Sequence, residues 1–216
     1  MRTILEFRDY LLGDLDETLK RPIAAGGTAW GIFVCLRNVL SELCFIDERE
    51  SDWKVVKEEY LCGPQGIVGQ FECQRLFATD FVNEVASVFA EVAFHMNYFR
   101  PSRLLDRREW NELKDSLTPS FFSRDWGESE LHERFGRPSY ECGGAETDVS
   151  CYASEDRSCR WIFFDFYRKD PRKLFDPNAI DNWFDSPRLR NVRWKDNKFI
   201  LVPFGRSLAM SSESPR

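Results

Sequence analysis

The chain has 216 residues, enough for one large domain or two small ones. Apolar residues make up 43 % of it and charged residues 31 %, a composition typical of a globular protein with a real core. The formal net charge of −6 at pH 7 argues against direct nucleic-acid binding, because phosphate contacts need a basic surface. The same charge favours a basic protein as the partner, since complementary charges speed association.

The negative charge lies in the N-terminal half. Residues 1–115 contain 14 Lys/Arg and 20 Asp/Glu, whereas residues 116–216 contain 16 of each. The chain is also rich in large aromatic side chains, with 19 Phe and 7 Trp. Such side chains dominate both cores and protein interfaces, so their excess is consistent with a binding protein.

The sequence predicts a cytoplasmic protein. Its start does not resemble a secretion signal, and its seven cysteines include no CxxC pair. The apolar run TAWGIFVCL (28–36) is expected to be too short to span a membrane, and Arg37 follows it. We therefore expect reduced cysteines, no membrane contact, no cofactor and no metal.

Helical periodicity runs through the first hundred residues. The first predicted helix has four apolar residues on one face: Ile4, Phe7, Leu11 and Leu15. Thr28 is expected to cap a second helix, which is apolar over a wide arc and so belongs in the centre of a bundle. The charged segment 47–60 leads into a third helix. The clearest helix is predicted over 67–100, where Pro101 stops it, and a shorter one begins at Ser102.

The pattern changes after residue 122. Residues 127–136 predict a short helix closed by Gly136. The segments beyond it are short and rich in β-branched or aromatic residues, which is typical of strands. Asp196 and Asn197 lie between alternating apolar residues and predict a tight hairpin.

The predicted fold is therefore α+β, with a helical N-terminal half of about four to five helices packed with a C-terminal antiparallel β-sheet. The expected regions are a helical part, 1–115, an α+β part, 116–208, and a disordered tail, 209–216. The sequence contains no obvious flexible linker, so 1–208 can also form one continuous domain.

The densest aromatic run is SCRWIFFDFYRKD (158–170), which encloses one acid, Asp165. Side chains alternate across a strand, so the run has two faces. One face has Ile162, Phe164 and Phe166. The other has Trp161, Phe163, Asp165 and Tyr167. Because both faces are largely apolar, we expect a strand inside the sheet that is covered on both sides.

The preceding segment, 146–154, is expected to pair with this strand, and the length of the loop leaves two registers open. A loop of two or four residues places Val149 opposite Ile162 and Glu146 opposite Asp165. A three-residue loop shifts the pairing by one, so that Val149 lies opposite Trp161. We favour the first register because it separates apolar from polar side chains better.

The favoured register predicts a contact surface for a basic partner, in which aromatic side chains lie among acids. Its members are Glu146, Asp148, Trp161, Phe163, Asp165 and Tyr167. In the alternative register Asp148 moves to the face opposite Asp165. A further alternative is that both faces are simply buried.

Two charged clusters lie outside the strand. Residues 41–59 contain seven acids and three bases around Trp53. An exposed Trp53 would anchor a basic partner, whereas an inward Trp53 would leave only a solvated charged face. The second cluster, within 100–108, contains Arg100, Arg103, Arg107 and Arg108. We expect these arginines to pair with nearby acids or a helix C-terminus, and a phosphate or acidic-partner site is the alternative.

Catalytic constellations are weak. Cys142 precedes two glycines, and His132 on the short helix is the candidate base for it in a hydrolase. Asp148 and Asp165 are the candidate pair for a metal-dependent nuclease or phosphodiesterase. The residue two positions after Asp165 is Tyr167, where such a nuclease has Lys, so this signature fails.

The sequence supports three hypotheses. The first is a non-enzymatic protein-binding module, such as an inhibitor or immunity protein that masks a basic partner, and the analogy concerns charge and composition only. The second is an enzyme with one of the two catalytic pairs. The third is a subunit of a larger assembly or a homo-oligomer, in which the aromatic excess belongs to interfaces.

Overall fold

The structure is a computed structural model, and it describes residues 3–22, 28–60, 82–144, 147–170, 183–194 and 198–202. The chain divides into two compact units, residues 1–100 and 101–216. The first is helical in its described part, and the second contains an antiparallel sheet with helices. The predicted α+β fold class is confirmed.

Four helices form the described part of the N-terminal unit: α1 (Ile4–Lys20), α2 (Ala29–Ile46), α3 (Glu50–Tyr60) and α4 (Val82–His95). Helix α2 packs against each of the other three, so it is the central helix that its wide apolar arc predicts. The hydroxyl of Thr28 caps it, as expected, by accepting a hydrogen bond from the amide of Gly31 at 3.0 Å.

Helix α2 is also the one helix among the described residues that is long and apolar enough to cross a membrane. It has 18 residues and a mean hydropathy of 1.5, and 44 % of it is buried inside the unit. The expectation of a run too short to span was wrong, because the helix continues beyond Arg37 to Ile46. A core helix of a bundle passes the same test, and α2 packs as a core helix.

Helix α4 ends at His95, earlier than the predicted end at residue 100. Asn97 adopts a left-handed conformation with φ of 63°, which Asn tolerates better than most residues. The amides of Tyr98 and Phe99 then both donate to the carbonyl of Ala93, at 2.8 and 3.1 Å. This closure ends the helix without any contribution from proline. Residues 67–81 of the predicted helix lie outside the described residues.

The C-terminal unit contains α5 (Arg107–Ser116), a 3₁₀ turn (Phe121–Ser123), α6 (Glu128–Phe135) and five strands. The strands are β1 (Tyr140–Gly143), β2 (Thr147–Tyr152), β3 (Ile162–Lys169), β4 (Trp183–Trp194) and β5 (Lys198–Leu201). They follow the order β1-β2-β3-β4-β5, and every neighbouring pair is antiparallel. Strand β3 is therefore interior to the sheet, as its two apolar faces predict.

The predicted hairpin at 196–197 is confirmed by its strands. Trp194 of β4 lies opposite Lys198 of β5, and the turn residues themselves lie outside the described part of the chain. Helix α6 is closed by Gly136, whose φ is 74°, as predicted. The predicted tail, 209–216, also lies outside the described residues.

Helix α5 begins at Arg107, five residues later than predicted, because Asp106 caps it together with Glu109. The predicted helical region 1–115 included this helix, whereas the boundary between the two units falls at residues 100 and 101. The reason lies in packing, because Trp110 and Leu113 of α5 belong to the core of the C-terminal unit.

One face of the sheet forms that core with α5, the 3₁₀ turn and α6. Its strand members are Tyr152, Ile162, Phe164, Phe166, Leu189 and Val192. Its other members include Trp110, Leu113, Phe121, Trp126 and Leu131. The opposite face of β3 is buried as well, so the alternative in which both faces are covered is the observed one.

The pairing of β2 with β3 differs from both predicted registers. Val149 lies opposite Asp165, rather than opposite Ile162 or Trp161. The favoured register was wrong in the faces that it assigns, because directly opposite residues share a face. Asp148 and Asp165 therefore lie on different faces of the sheet, as the alternative register predicts.

The register is set by a longer connection than either prediction allowed. Residues 153–161 join the two strands. Leu105 pairs with the start of this connection, since its amide donates to the carbonyl of Ala153 at 2.8 Å. Its carbonyl accepts from the amide of Glu155 at 2.9 Å. Because residues 153–155 bond to Leu105, they do not pair with β3, as they would in a hairpin with a short loop.

Candidate functional site

The predicted contact surface on β3 is buried. Trp161, Phe163 and Asp165 are 1, 3 and 2 % exposed, and Tyr167 is half-buried. Glu146 lies outside the described residues. An aromatic anchor has to be exposed before it can enter a pocket of a partner, so these residues do not form an open contact surface in this conformation.

Asp165 neutralises buried arginines. Both of its oxygens accept hydrogen bonds from Arg193, from Nε and from Nη2, each at 2.8 Å. Nη2 of Arg190 lies 3.8 Å from Oδ2 of the same carboxylate. The guanidinium of Arg193 also lies over the ring of Phe163, 4.3 Å from its centre. The single acid in the aromatic strand is thus half of a buried, bidentate ion pair.

Trp53 lies inward on α3 and is 7 % exposed. It lines a cavity of about 220 Å³ together with Arg37, Ser41 and Lys57. The inward alternative holds for this residue, and an exposed anchor at Trp53 was the wrong expectation.

The candidate pair of Cys142 and His132 does not form. Nε2 of His132 lies 3.0 Å from Oγ of Ser150, and Glu141 lies opposite Ser150, on the same face of the sheet. Cys142 follows Glu141 directly and therefore points to the other face. Burial raises the pKa of the Cys142 thiol to about 12, so that it is not a thiolate at neutral pH. Cys142 and His132 line the same cavity, but His132 contacts Ser150 instead of the thiol.

The candidate metal pair fails for the same geometrical reason. Asp148 and Asp165 lie on opposite faces, and each pairs with a different arginine, Arg168 and Arg193. Among the described residues, no group of three or more His, Cys, Asp and Glu side chains is placed to hold a metal ion.

The residues around His132 form a polar cavity of about 270 Å³ instead. Helix α6 and strands β1, β2 and β3 supply its charged side chains: Glu128, His132, Glu141, Asp148 and Arg168. Asp148 and Arg168 form an ion pair at one side of the cavity. Glycine at position 143 leaves room for this carboxylate, because a β-carbon would lie 2.7 Å from Oδ1 of Asp148.

Burial shifts the pKa of two groups in this cavity, Glu128 and His132. Burial, then the negative charges of Asp148 and Glu141, raise the pKa of Glu128 to about 7. Burial lowers the pKa of His132, and the nearby carboxylate of Glu141 opposes this effect. The hydroxyl of Ser150 connects the two, since it also donates to Glu128 at 3.5 Å. The cavity can therefore exchange protons with a bound molecule near pH 7.

Four of the seven exposed large apolar side chains among the described residues lie in the first turns of α1. We call Ile4, Leu5, Phe7 and Tyr10 the α1 surface. Their exposed fractions are 65, 68, 40 and 53 %. The rings of Phe7 and Tyr10 stack with centres 6.4 Å apart. A contiguous apolar patch of this kind on a folded protein is typical of an interaction site.

The position of the α1 surface follows from the helix itself. Leu11 and Leu15 are buried, and Ile4 and Phe7 lie on the same helical face at spacings of three, four and seven residues. The face that forms the core in the middle of α1 thus continues into solvent at its start. The four residues share one face of α1, as predicted, and this face is buried only in the second half of the helix.

Acids surround the α1 surface. Residues 3–19 contain five acids and one base. The base, Arg8, is already paired with Asp47 at the end of α2, through two hydrogen bonds of 2.7 and 2.9 Å. This pair also brings the start of α1 to the end of α2, where Phe45 is 70 % exposed.

Sequence reasoning missed the α1 surface although a signal was present. Tyr10 has Glu6 four residues before it and Asp14 four residues after it, so both acids flank it on the helix. This is the arrangement of an aromatic side chain among acids that the sequence suggested around Trp53. Helical periodicity placed the apolar start of α1 on one face and did not indicate whether that face is covered.

Comparison with known proteins identifies no relative: neither a family model, nor a curated protein, nor a solved structure matches this chain.

Proposed function

We propose that the protein is a cytoplasmic binding module that engages a basic protein through the α1 surface. The observation that carries this proposal is the exposed apolar start of α1, where Phe7 and Tyr10 stack in the midst of acids. Large aromatic side chains are the commonest hot spots of protein interfaces, because they bury much area and lose little conformational freedom.

The α1 surface can contribute several kcal/mol to binding. Burying one large apolar side chain completely contributes about 1.5–3 kcal/mol. The four side chains of the α1 surface are each only partly buried now, so most of this contribution is still unused. Part of it offsets the loss of translational and rotational freedom on association.

Charge decides which partner fits. Residues 1–100 contain 10 basic and 16 acidic residues, and the remaining residues contain 20 of each. A second copy of this chain would bring two acidic surfaces together, which is unfavourable. A basic partner gains from the same charges, both in the rate of encounter and in specificity. An inhibitor or immunity protein that masks a basic protein would act in this way.

The proposal is tested by the double substitution Phe7→Ala and Tyr10→Ala. Val55→Ala is the matched control, because Val55 is 61 % exposed on α3 of the same unit and is not part of the α1 surface. The tagged wild type and both variants are used to capture partners from the cells that produce the protein. Captured proteins are identified by mass spectrometry and then titrated in purified form.

We expect one basic protein that binds the wild type and the Val55 variant equally. The double variant should bind it at least about tenfold more weakly, and higher salt should weaken all three complexes. Equal affinity of all three proteins would show that the α1 surface is not the contact. A partner that is acidic, or binding that does not respond to salt, would exclude the charge argument. A homodimer in light scattering would favour the assembly hypothesis instead.

A further inference from the structure

Two adjoining cavities lie along α5 in the C-terminal unit. The first has a volume of about 350 Å³ and the second of about 450 Å³. Both are lined by Ser116 at the end of α5 and by Arg134 on α6, so these two side chains stand between the cavities. We call the two cavities together the arginine groove. It belongs to a different unit from the α1 surface.

Arg134 is a guanidinium held in place without a carboxylate. It lies over the rings of Trp126 and Phe135, 5.6 and 5.4 Å from their centres. Its Nη2 donates one hydrogen bond, to Oγ of Ser116 at 3.3 Å. No acidic side chain among the described residues pairs with it. A guanidinium with five donors and a single neutral acceptor retains most of its capacity to bind an oxyanion.

A second guanidinium contacts the same indole. Arg124 stacks over Trp126 with its central carbon 4.1 Å from the ring centre, and it pairs with Glu130 at 2.5 Å. The indole is itself fixed, because its Nε1 donates to the carbonyl of Phe121 at 3.0 Å. One buried ring thus orients two cations towards one cavity.

Hydroxyl groups complete the wall of the larger cavity. Thr118 and Ser120 line it, and their hydroxyl oxygens lie 2.8 Å apart, so that one hydrogen bond joins them. Only one of the two hydroxyl protons is needed for that bond, which leaves the other for a ligand. Asp115 also lines this cavity, and it is the one carboxylate among the described lining residues there.

We propose that the arginine groove binds the phosphate group of a small phosphate monoester, with Arg134 and Arg124 as its ligands. Planar guanidinium groups match the spacing of phosphate oxygens and bind them in bidentate fashion. A doubly charged phosphate can bridge both cations and still accept a hydrogen bond from Thr118 or Ser120. A carboxylate carries one charge and two oxygens, so it gains less from two cations than a phosphate does. Asp115 repels both anions, and this smaller gain offsets less of the repulsion.

The smaller cavity contains two of the four arginines of the sequence cluster. Arg103 and Arg108 line it, and they pair with Glu109 and Glu112. The expected pairing of these arginines with nearby acids is thus what the structure has. Arg134 lies outside that cluster in sequence and reaches it only through the packing of α6 beside α5.

The experiment uses the full chain and phenyl phosphate as the probe. The reporter is the indole N–H resonance of Trp126 in heteronuclear NMR spectra, assigned by its loss in Trp126→Phe. Inorganic phosphate forms the second arm, and benzoate at equal ionic strength the third. The test variant is Arg134→Gln, and the matched control is Arg137→Gln, which removes the same charge three residues later at an exposed position outside both cavities.

We expect a saturable shift of the Trp126 resonance by phenyl phosphate, with a dissociation constant in the millimolar range or below. Arg134→Gln should weaken binding by about tenfold or more, since one charge-assisted contact is lost, and Arg137→Gln should leave it unchanged. Equal binding of inorganic phosphate would show that the phosphate group alone is recognised and supports the proposal. No saturable shift, equal weakening by both variants, or tighter binding of benzoate would overturn it.

Discussion

The ionisation of Glu128 should make the free energy of unfolding depend on pH. Its pKa is raised from the ordinary value of 4.5 to about 7, chiefly by burial and then by Asp148 and Glu141. The folded protein therefore holds this proton more tightly than the unfolded chain does. The stabilisation from this group is present in full below about pH 4.5 and is lost as the pH rises through about 7.

The magnitude follows from the size of this change in pKa. A difference between 4.5 and about 7 corresponds to at most about 3 kcal/mol. Glu128 is half-buried, so water screens part of the interaction, and we expect about 1–2 kcal/mol. In the variant Glu128→Gln the group no longer ionises. At about pH 8.5 the variant should therefore be more stable than the wild type by about 1–2 kcal/mol.

The assay is urea unfolding of the wild type and of Glu128→Gln between about pH 4.5 and about pH 8.5. The difference between the two proteins should grow with pH and be smallest at the acidic end. Glu133→Gln on the exposed face of the same helix is the control, and its stability should follow that of the wild type. A stability difference that does not change with pH, or a variant that is less stable at alkaline pH, would refute the account of this cavity.

Three further predictions concern the rest of the molecule. Asp165→Ala should destabilise the protein by about 3–5 kcal/mol in urea unfolding, because it leaves Arg193 buried without its bidentate carboxylate. A loss of stability below about 1 kcal/mol would contradict the buried ion pair. Peptide mapping after brief treatment with a thiol reagent at neutral pH should find Cys35 labelled and Cys142 protected. Cys35 is exposed, whereas Cys142 is buried and has a pKa of about 12. Equal labelling of the two cysteines would argue against the buried position of Cys142. Asp106→Ala should cost about 1 kcal/mol of stability by removing the cap of α5, and Asp106→Asn should restore most of it; an equal loss in both variants would mean that the cap is not what the side chain supplies.

Local patterns were sufficient for most of the fold. Helical periodicity located α1, α2 and α6, and the caps at Thr28 and Gly136 depend on residues that are close in sequence. The two apolar faces of β3 correctly placed this strand inside the sheet. These features follow from side-chain spacing, which is a property of the sequence alone.

The register of β2 and β3 needed information from a distant residue. Leu105 lies about fifty residues before the connection that it pairs with, and no local pattern indicates such a partner. The observed pairing is displaced by three residues from the favoured register, and an odd displacement exchanges the two faces of a strand. This displacement was enough to turn Asp165 from half of a buried ion pair into a member of an expected contact surface.

The α1 surface was missed for a different reason. Periodicity says which residues share a face of a helix, and it does not say how far along the helix that face is covered. Ile4 and Phe7 have the same spacing as Leu11 and Leu15, and only the packing of the unit distinguishes the exposed pair from the buried pair.

The central claim is that a basic protein binds at the start of α1. The most direct measurement places a photoreactive phenylalanine analogue at position 7 and, in a second protein, at position 55, and irradiates the cells that produce them. The account predicts a covalent adduct with one basic protein from position 7 and none with that protein from position 55. Adducts of equal yield from both positions, or no adduct from position 7, would contradict it.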